Sequence, residues 1–154
     1  MSELIIYTDG ASRGNPGPGG YGAILQYKGK EKELSAGYRR TTNNRMELMA
    51  VIAALKALKR YGLSITIFSD SQYVVKAVTE GWLKNWLATD FKGGKKNKDL
   101  WKEYAELAAK HQVKFKWVRG HADNAYNNRC DQLATEAADG SNLLVDEGFE
   151  SGSN

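Results

Sequence analysis

The order of strand-like and helix-like segments is the feature of this sequence that most constrains its fold. Three strand-like runs, LIIYTD, YGAILQYK and EKELSAGYR, come first, and the short Lys-Gly connection between the last two favours a hairpin. Helical patterns then alternate with two further apolar runs, SITIFSD and VKFKWV. Because strand–helix–strand order implies parallel pairing through right-handed crossovers, we predict an α/β fold with a mixed five-stranded sheet. Strands 3-2-1 would form an antiparallel meander, strands 4 and 5 would be parallel, and helices would cover both faces.

Capping residues and glycines predict where the helices begin and end. The segment Thr41 to Asn44 supplies helix-cap side chains, and the helix that follows is predicted to run to about Arg60, before Gly62. The other predicted helices are residues 71 to about 87 in two pieces joined near Glu80-Gly81, a helix near Asp99 to Lys110, and a last helix from after Asn124 to about Asp139. Residues 140–154 contain no Lys or Arg and are rich in Gly, Ser and Asn, so we expect a loose tail.

The composition is that of an ordinary globular protein of one domain. The chain has 154 residues, 42% of them hydrophobic and 26% charged, with a formal net charge of +4. The apolar stretch from Leu4 to Tyr7 is too short for a signal peptide, and no stretch approaches the length of a membrane span. The single cysteine, Cys130, cannot form an internal disulfide and is expected to be buried on the last helix. We therefore expect a cytoplasmic monomer that does not bind membranes.

Four carboxylates occupy positions that folding alone explains poorly: Asp9, Glu47, Asp70 and Asp131. Asp9 and Asp70 end the apolar runs LIIYTD and ITIFSD, whereas Glu47 and Asp131 lie within helical patterns. Helical spacing places Glu47 on a stripe of core-facing residues, where an ionised side chain is costly unless it is paired or metal-bound. If the four converge, they form an all-oxygen site for Mg²⁺ or Mn²⁺, which indicates metal-assisted phosphodiester chemistry.

Each carboxylate taken singly has a plainer explanation. Glu47 could reach solvent at the edge of its helix, or pair with Arg45 or with a lysine distant in the sequence. An aspartate often closes a strand or caps the next helix, as Asp70 could do for the helix that follows it. These explanations weaken because all four acids must be accounted for together in one small domain.

The positive charge is concentrated in one segment. Residues 81–119 hold ten Lys and Arg against four Asp and Glu, so the rest of the chain sums to −2. Within this segment four lysines lie among large aromatic residues. The lysines are Lys92, Lys95, Lys96 and Lys98, and the aromatic residues are Trp82, Trp86, Phe91 and Trp101. A basic, aromatic lobe beside an acidic metal site suits a polyanion that is held by its backbone. The alternative is a solvated lysine loop with tryptophans that pack on one helix face.

Several segments resemble the bacterial type 1 ribonuclease H (ribonuclease HI) family: TDGASRGNPGPGGYGAIL, TTNNRMELMAVIAAL, SDSQYVV, NKDLW, WVRGHA and NRCDQLA. The resemblance runs in order from about residue 3 to 140. It implies a ribonuclease H-like catalytic domain over residues 1–140, with a basic protrusion at about 81–98, and leaves 141–154 as a flexible acidic tail. It also implies an endonuclease that hydrolyses the RNA strand of RNA–DNA hybrids with two Mg²⁺ or Mn²⁺ ions, leaving 5′-phosphate and 3′-hydroxyl ends.

The resemblance also implies roles for individual residues. The four carboxylates Asp9, Glu47, Asp70 and Asp131 would be catalytic and would hold the metal ions, and His121 would shuttle protons or assist product release. The remaining assignments concern the hybrid: minor-groove contacts from Asn15, Asn43, Asn44 and Gln72, a DNA-phosphate contact from Thr42, and DNA-strand contacts from Trp82, Trp86, Lys92, Lys95, Lys96 and Lys98.

Three positions depart from the family pattern. Leu87-Ala88-Thr89 stands where relatives often carry Lys or Arg, which predicts a weaker grip on the substrate. Asp123 replaces a common Gly after His-Ala, and Asn128 replaces a usual Glu. Two other functions remain open from the residues: a resolvase- or transposase-like DNA nuclease, and a non-catalytic nucleic-acid-binding module. The TTNN segment argues against the first, and the complete set of four carboxylates argues against the second.

Overall fold

Five strands form one mixed sheet in the computed structural model, which describes residues 3–93, 96–119 and 124–152. The strands are β1 Glu3–Ser12, β2 Gly17–Tyr27, β3 Lys30–Thr41, β4 Ser64–Ser69 and β5 Gln112–Trp117, in the order β3-β2-β1-β4-β5. The pairs β1/β2 and β2/β3 are antiparallel, whereas β1/β4 and β4/β5 are parallel. The predicted sheet is confirmed.

Six helices connect and flank the strands in the described part of the chain. They are α1 Asn43–Lys56, α2 Gln72–Thr79, α3 Trp82–Ala88, α4 Lys98–Ala108, α5 Ala125–Ala138 and α6 Glu147–Glu150. The break between α2 and α3 falls at Gly81, whose φ of 79° is in the left-handed region that favours glycine. The prediction that α1 runs to about Arg60 is wrong. Leu58 still packs against the core, but the side chains of Lys59, Arg60 and Tyr61 are exposed, so a further turn would bury little more.

Helices α1 and α5 lie on opposite faces of the sheet, as predicted. The evidence is the space that two adjacent glycines of β2 leave, because neighbouring strand residues point to opposite faces. A Cβ on Gly19 would lie 3.0 Å from Cγ of Met46 in α1, whereas a Cβ on Gly20 would lie 2.4 Å from the carbonyl oxygen of Ala134 in α5. The main hydrophobic core lies on the α1 face, where α2 and α4 also pack, and includes the fully buried Trp101. No described helix is long and apolar enough to cross a membrane.

The C-terminal segment packs on the domain. The backbone N–H of Leu144 donates to the carbonyl of Gly37 at 2.8 Å, and that of Arg39 donates to the carbonyl of Leu144 at 2.9 Å. Asp146 is buried, with 3% of its surface exposed, and the guanidinium of Arg45 compensates its charge. The flexible tail over residues 141–154 stays a prediction, and its described part makes these contacts with β3 and Arg45.

Candidate metal centre and nucleic-acid interface

Three of the four predicted carboxylates meet at one end of the sheet. Oxygen atoms of Asp9, Glu47 and Asp70 all lie within 4.8 Å of one another. The parallel register explains two of them: Thr8 of β1 pairs with Ser69 of β4, so Asp9 and Asp70 follow at the same edge of neighbouring strands. The backbone N–H of Gly10 donates to Oδ1 of Asp9 at 2.8 Å and helps to orient that carboxylate.

Glu47 reaches this edge because α1 packs unusually close to β1. A Cβ on Gly10 would lie 2.3 Å from the backbone nitrogen of Glu47, so only glycine permits this approach. Glu47 is 6% exposed, and the plainer explanation of a glutamate that extends to solvent is therefore wrong. Arg45 pairs with Asp99 and Asp146, which also leaves the proposed Arg45–Glu47 pair without support.

Two of these carboxylates, Asp9 and Glu47, have strongly raised pKa values. Burial raises the pKa of Asp9 to about 8, with further increases from the charges of Asp70 and Asp131 that outweigh the Gly10 hydrogen bond. Burial also raises the pKa of Glu47 well above its ordinary value, and repulsion from Asp9 and Asp70 adds to it. A divalent cation would remove both causes, because it supplies the opposite charge and replaces the lost hydration.

The oxygen atoms of the cluster fit a hard divalent cation. Oε1 of Glu47 and Oδ1 of Asp70 are buried and have no hydrogen-bond partner among the described residues. A buried carboxylate oxygen without a partner is costly, and an all-oxygen donor set is the type that Mg²⁺ and Mn²⁺ prefer. Asp131, on α5, is not part of the 4.8 Å group, yet its charge still raises the pKa of Asp9. The predicted roles of His121 and Lys95 lie outside the described residues.

The predicted minor-groove residues surround this edge of the sheet. Asn43 and Asn44 begin α1, and both are exposed, as are Asn15 in the β1–β2 connection and Gln72 at the start of α2. Oδ1 of Asn15 accepts a hydrogen bond from the backbone N–H of Asn43 at 3.0 Å, which joins the connection to the helix. The Thr42 hydroxyl caps α1 by accepting from the N–H of Arg45 at 3.3 Å.

The predicted protrusion is built on an aromatic cluster. Trp86 is partly buried and packs against Tyr73, Phe91 and Trp101, whereas Trp82 is 40% exposed. The helix-packing alternative therefore applies to Trp86.

The lysines of this loop differ in their surroundings. Lys92 and Lys96 are exposed. Lys98 instead pairs with Asp90, with Nζ and Oδ1 3.0 Å apart. Lys98 is therefore less available to a phosphate than its position in the sequence indicates.

Two residues near the site were not predicted from the sequence. Trp117, at the end of β5, is 47% exposed, and its Nε1 donates to the backbone carbonyl of Asp70 at 3.2 Å. Asn127, one turn before Asp131 on α5, donates from Nδ2 to the carbonyl of Thr8 at 3.4 Å. The end position of Trp117 in the alternating run VKFKWV was the available signal, whereas the Asn127 contact depends on how α5 packs. Cys130 is buried as expected, and burial raises the pKa of its thiol.

Comparison with known proteins gives one consistent family. The RNase H family model matches residues 1–139. The sequence is 52% identical to a ribonuclease H from Syntrophus aciditrophicus over 153 residues, which is 97% of this chain and 88% of the relative. It is also 57% identical to a ribonuclease H from a Thermoanaerobacter species over 141 residues, covering 88% of this chain and 90% of that one.

Solved structures agree with the sequence comparison. The crystal structure of LC9-RNase H1, described as a type 1 RNase H with the type 2 active-site motif, superposes with a TM-score of 0.82 at 33% identity. The match covers 99% of this chain and 81% of that one. The crystal structure of LC11-RNase H1 in complex with an RNA/DNA hybrid superposes with a TM-score of 0.68 at 28% identity, over 88% of this chain and 96% of that one.

Proposed function

Because this chain belongs to the RNase H family, we propose that it is a metal-dependent endonuclease that hydrolyses the RNA strand of RNA–DNA hybrids. The convergence of Asp9, Glu47 and Asp70 is the single observation that most supports this proposal. The buried, unpartnered oxygens of Glu47 and Asp70 are what a phosphodiesterase that uses divalent cations requires. The similarity to LC11-RNase H1, which was solved with an RNA/DNA hybrid, supports the choice of substrate.

The four carboxylates Asp9, Glu47, Asp70 and Asp131 would hold Mg²⁺ or Mn²⁺. When bound, a pair of such ions supplies a Lewis acid to the scissile phosphate, an activated water for in-line attack and a stabilised 3′ leaving oxygen. The expected products therefore carry 5′-phosphate and 3′-hydroxyl ends. The protein contributes a fixed ligand geometry, because a strand end, a helix and a second strand end hold the carboxylates on separate elements.

Strand choice would come from the polar residues around the cluster. Asn15, Asn43, Asn44 and Gln72 present amides that can read sugars and bases in the wide, shallow minor groove of an RNA-containing helix. The 2′-hydroxyl distinguishes RNA from DNA at such contacts. Thr42 and the tryptophan and lysine residues of the protrusion would hold the DNA strand by its backbone, which positions the substrate without reading its sequence. His121 would move a proton or help product release.

The test is cleavage of a uniformly labelled RNA–DNA hybrid with Mg²⁺ and with chelator, alongside duplex DNA and single-stranded RNA. We expect cleavage of the RNA strand in the hybrid only with metal, with end-group analysis showing 5′-phosphates. Comparable rates on duplex DNA would instead indicate a resolvase-like nuclease, and hybrid binding without cleavage would indicate a binding module.

A pair of variants separates a loss of metal ligands from a general loss of acidic charge. Asp70→Asn removes a charged ligand of the cluster, whereas Asp139→Asn removes an exposed aspartate that pairs with Arg13. Only the first should abolish cleavage. Equal losses of activity in the two variants would count against the metal-site assignment.

A further inference from the structure

Arg45 is the centre of a second buried polar cluster that the proposed chemistry does not use. Its side chain is 1% exposed, and each of its guanidinium N–H groups has an acceptor. Nε and Nη2 donate to the carboxylate of Asp146 at 2.8 and 2.9 Å. Nη1 and Nη2 donate to the carboxylate of Asp99 at 2.9 and 2.7 Å, and Nη1 also reaches Oδ1 of Asn97 at 3.3 Å. The fork of the guanidinium is therefore fully occupied by two bidentate carboxylates.

Asp146 holds both sides of the segment that begins α1. Its Oδ2 accepts from the hydroxyl of Thr41 at 2.6 Å, and Thr41 immediately precedes the cap residue Thr42. On the other side of the cap it binds Arg45, in the first turn of α1. The residues between these contacts are those proposed to touch the hybrid. A carboxylate from the C-terminal segment thus fixes the backbone that presents them.

The other acceptors of Arg45 belong to the protrusion side of the molecule. Asn97 and Asp99 lie at the start of α4, directly after the lysine loop. Nδ2 of Asn97 donates to the hydroxyl of Tyr73 at 3.1 Å, and Tyr73 stacks on Trp86 with ring centroids 6.3 Å apart. Tyr73 also follows Gln72 at the start of α2. Arg45 therefore connects α1, α2 and the protrusion through direct hydrogen bonds and ring contacts.

Stability alone is a poor reason for this arrangement, because apolar residues of similar volume usually stabilise a core as well as a buried ion pair does. What an ion pair adds is a fixed geometry between its partners. We propose that Asp146 is a positioning residue for the hybrid: through Arg45 it sets the orientation of the start of α1 relative to the protrusion, so that both grip one substrate. This inference rests on the proposed function. The family model ends at residue 139, so the positioning group comes from beyond the matched segment.

The experiment compares two nearly isosteric changes in the same C-terminal segment. Asp146→Asn removes the buried charge but keeps an acceptor for Thr41, whereas Glu150→Gln removes an acid whose partner, Arg39, is 60% exposed. The Kd for a fluorescent hybrid is measured by anisotropy in chelator, and KM and kcat are measured in Mg²⁺, at a temperature well below each melting transition.

We expect Asp146→Asn to raise both Kd and KM by about fivefold to tenfold and to leave kcat within about twofold. Glu150→Gln should change none of these values. A lowered melting temperature with unchanged Kd and KM would overturn the inference, because a merely structural residue behaves in that way. A fall in kcat with unchanged KM would overturn it as well.

If Asp146→Asn does not fold, Asp99→Asn takes its place, since the Asp99 side chain is 31% exposed and its loss disturbs the interior less. Unchanged Kd in that variant would equally overturn the inference. If the parent protein binds the hybrid without cleaving it, the proposed function fails, and the Kd comparison still decides the role of Asp146.

Discussion

Two buried charge clusters lie within two residues of each other on α1, and they differ in whether their charges are compensated. Around Glu47 the ionisable groups of the cluster are all acidic, and two buried carboxylate oxygens lack a partner among the described residues. In the second cluster every N–H group of the Arg45 guanidinium donates a hydrogen bond, to two carboxylates and one amide. Burial alone would lower the pKa of Arg45, but hydrogen bonds to Asp99 and Asp146 raise it overall. The first cluster needs an ion from outside, whereas the second is complete.

The effect of a buried charge on function and stability depends on whether it has partners of opposite charge. An incomplete cluster is a candidate functional site, because function there is gained at the expense of stability. A complete cluster is a structural connection, whose removal leaves uncompensated charges behind. The two clusters should therefore respond in opposite ways when one charged member is removed.

The largest effect is expected on catalysis. Asp9→Asn should reduce cleavage of the hybrid in Mg²⁺ on the order of a thousandfold, because the cluster loses a charged ligand that supports several kcal/mol of transition-state stabilisation. Single-turnover cleavage by the parent and the variant is the measurement. Activity within about tenfold of the parent would show that Asp9 is a strand-end cap and would remove the contrast between the clusters.

The next effect is expected on the free energy of unfolding. Arg45→Met should destabilise the protein by about 3–5 kcal/mol, since it leaves Asp99 and Asp146 buried or half-buried without their counter-charge. Denaturant unfolding at constant m-value gives the number. Arg39→Met, which breaks the exposed pair with Glu150, is the matched control and should change stability little. Equal losses of stability in the two variants would show that the buried Arg45 cluster stabilises the fold no more than the exposed Arg39–Glu150 pair.

The pH dependence of stability in chelator tests whether the acidic cluster around Glu47 is uncompensated. The pKa of Asp9 in the folded protein is raised to about 8, from an ordinary value of 3.8. The folded state therefore holds a proton that the unfolded state releases, so the contribution of Asp9 to stability is fully present below the lower value and is lost as pH rises through the higher one. Thermal melts between these pH values should show this decline in the parent, and a smaller decline in Asp9→Asn. A parent that gains stability across this range would show that the cluster is compensated without metal.

The same variant should melt at a higher temperature than the parent when metal is absent. At pH 8 in chelator, Asp9→Asn should stabilise the folded protein by about 1 kcal/mol, because it relieves repulsion within the cluster and reduces the cost of burial. Added Mg²⁺ should stabilise the parent by mass action, and stabilise the variant less. If the variant melts lower in chelator and responds to Mg²⁺ as the parent does, the metal-site assignment is wrong.

The smallest effect is expected from charges that belong to neither cluster. Replacing the exposed Lys92 and Lys96 by Ala should raise KM, flatten its dependence on salt and leave kcat unchanged, because phosphate contacts position the substrate. Lys98→Ala should matter less than either, since Lys98 already pairs with Asp90. Steady-state kinetics at several salt concentrations measure these changes. A fall in kcat with unchanged KM would place the lysine loop in the catalytic step.

The sequence was sufficient for the features that are encoded locally. Alternating and continuous apolar runs predicted the strands, capping residues such as Asn124 predicted helix starts, and the ends of two apolar runs singled out Asp9 and Asp70. Glu47 was predicted because its helical stripe left an acid among core residues.

Features that depend on distant pairing could not be predicted. Asp146 lies 101 positions from Arg45, and nothing in the composition of a Gly- and Ser-rich tail marks one aspartate as buried. The end of α1 was predicted too late because Lys59 and Arg60 are good helix formers, whereas their exposed side chains gain nothing from packing. The 47% exposure of Trp117 beside Asp70 also depends on where β5 ends against its neighbour.

Two glycines of β2 allow the helices that carry Glu47 and Asp131 to approach the sheet closely. Gly19 faces α1 and Gly22 faces α5, where a Cβ would lie 2.4 Å from the carbonyl of Cys130, the neighbour of Asp131. Both helices therefore lie directly against the backbone of β2. Glu47 on α1 and Asp131 on α5 approach the end of the sheet from opposite faces. A methyl group on either glycine would push the two helices apart, and with them the two carboxylates. The spacing of Glu47 and Asp131 therefore depends on two glycines that are not themselves members of the carboxylate cluster.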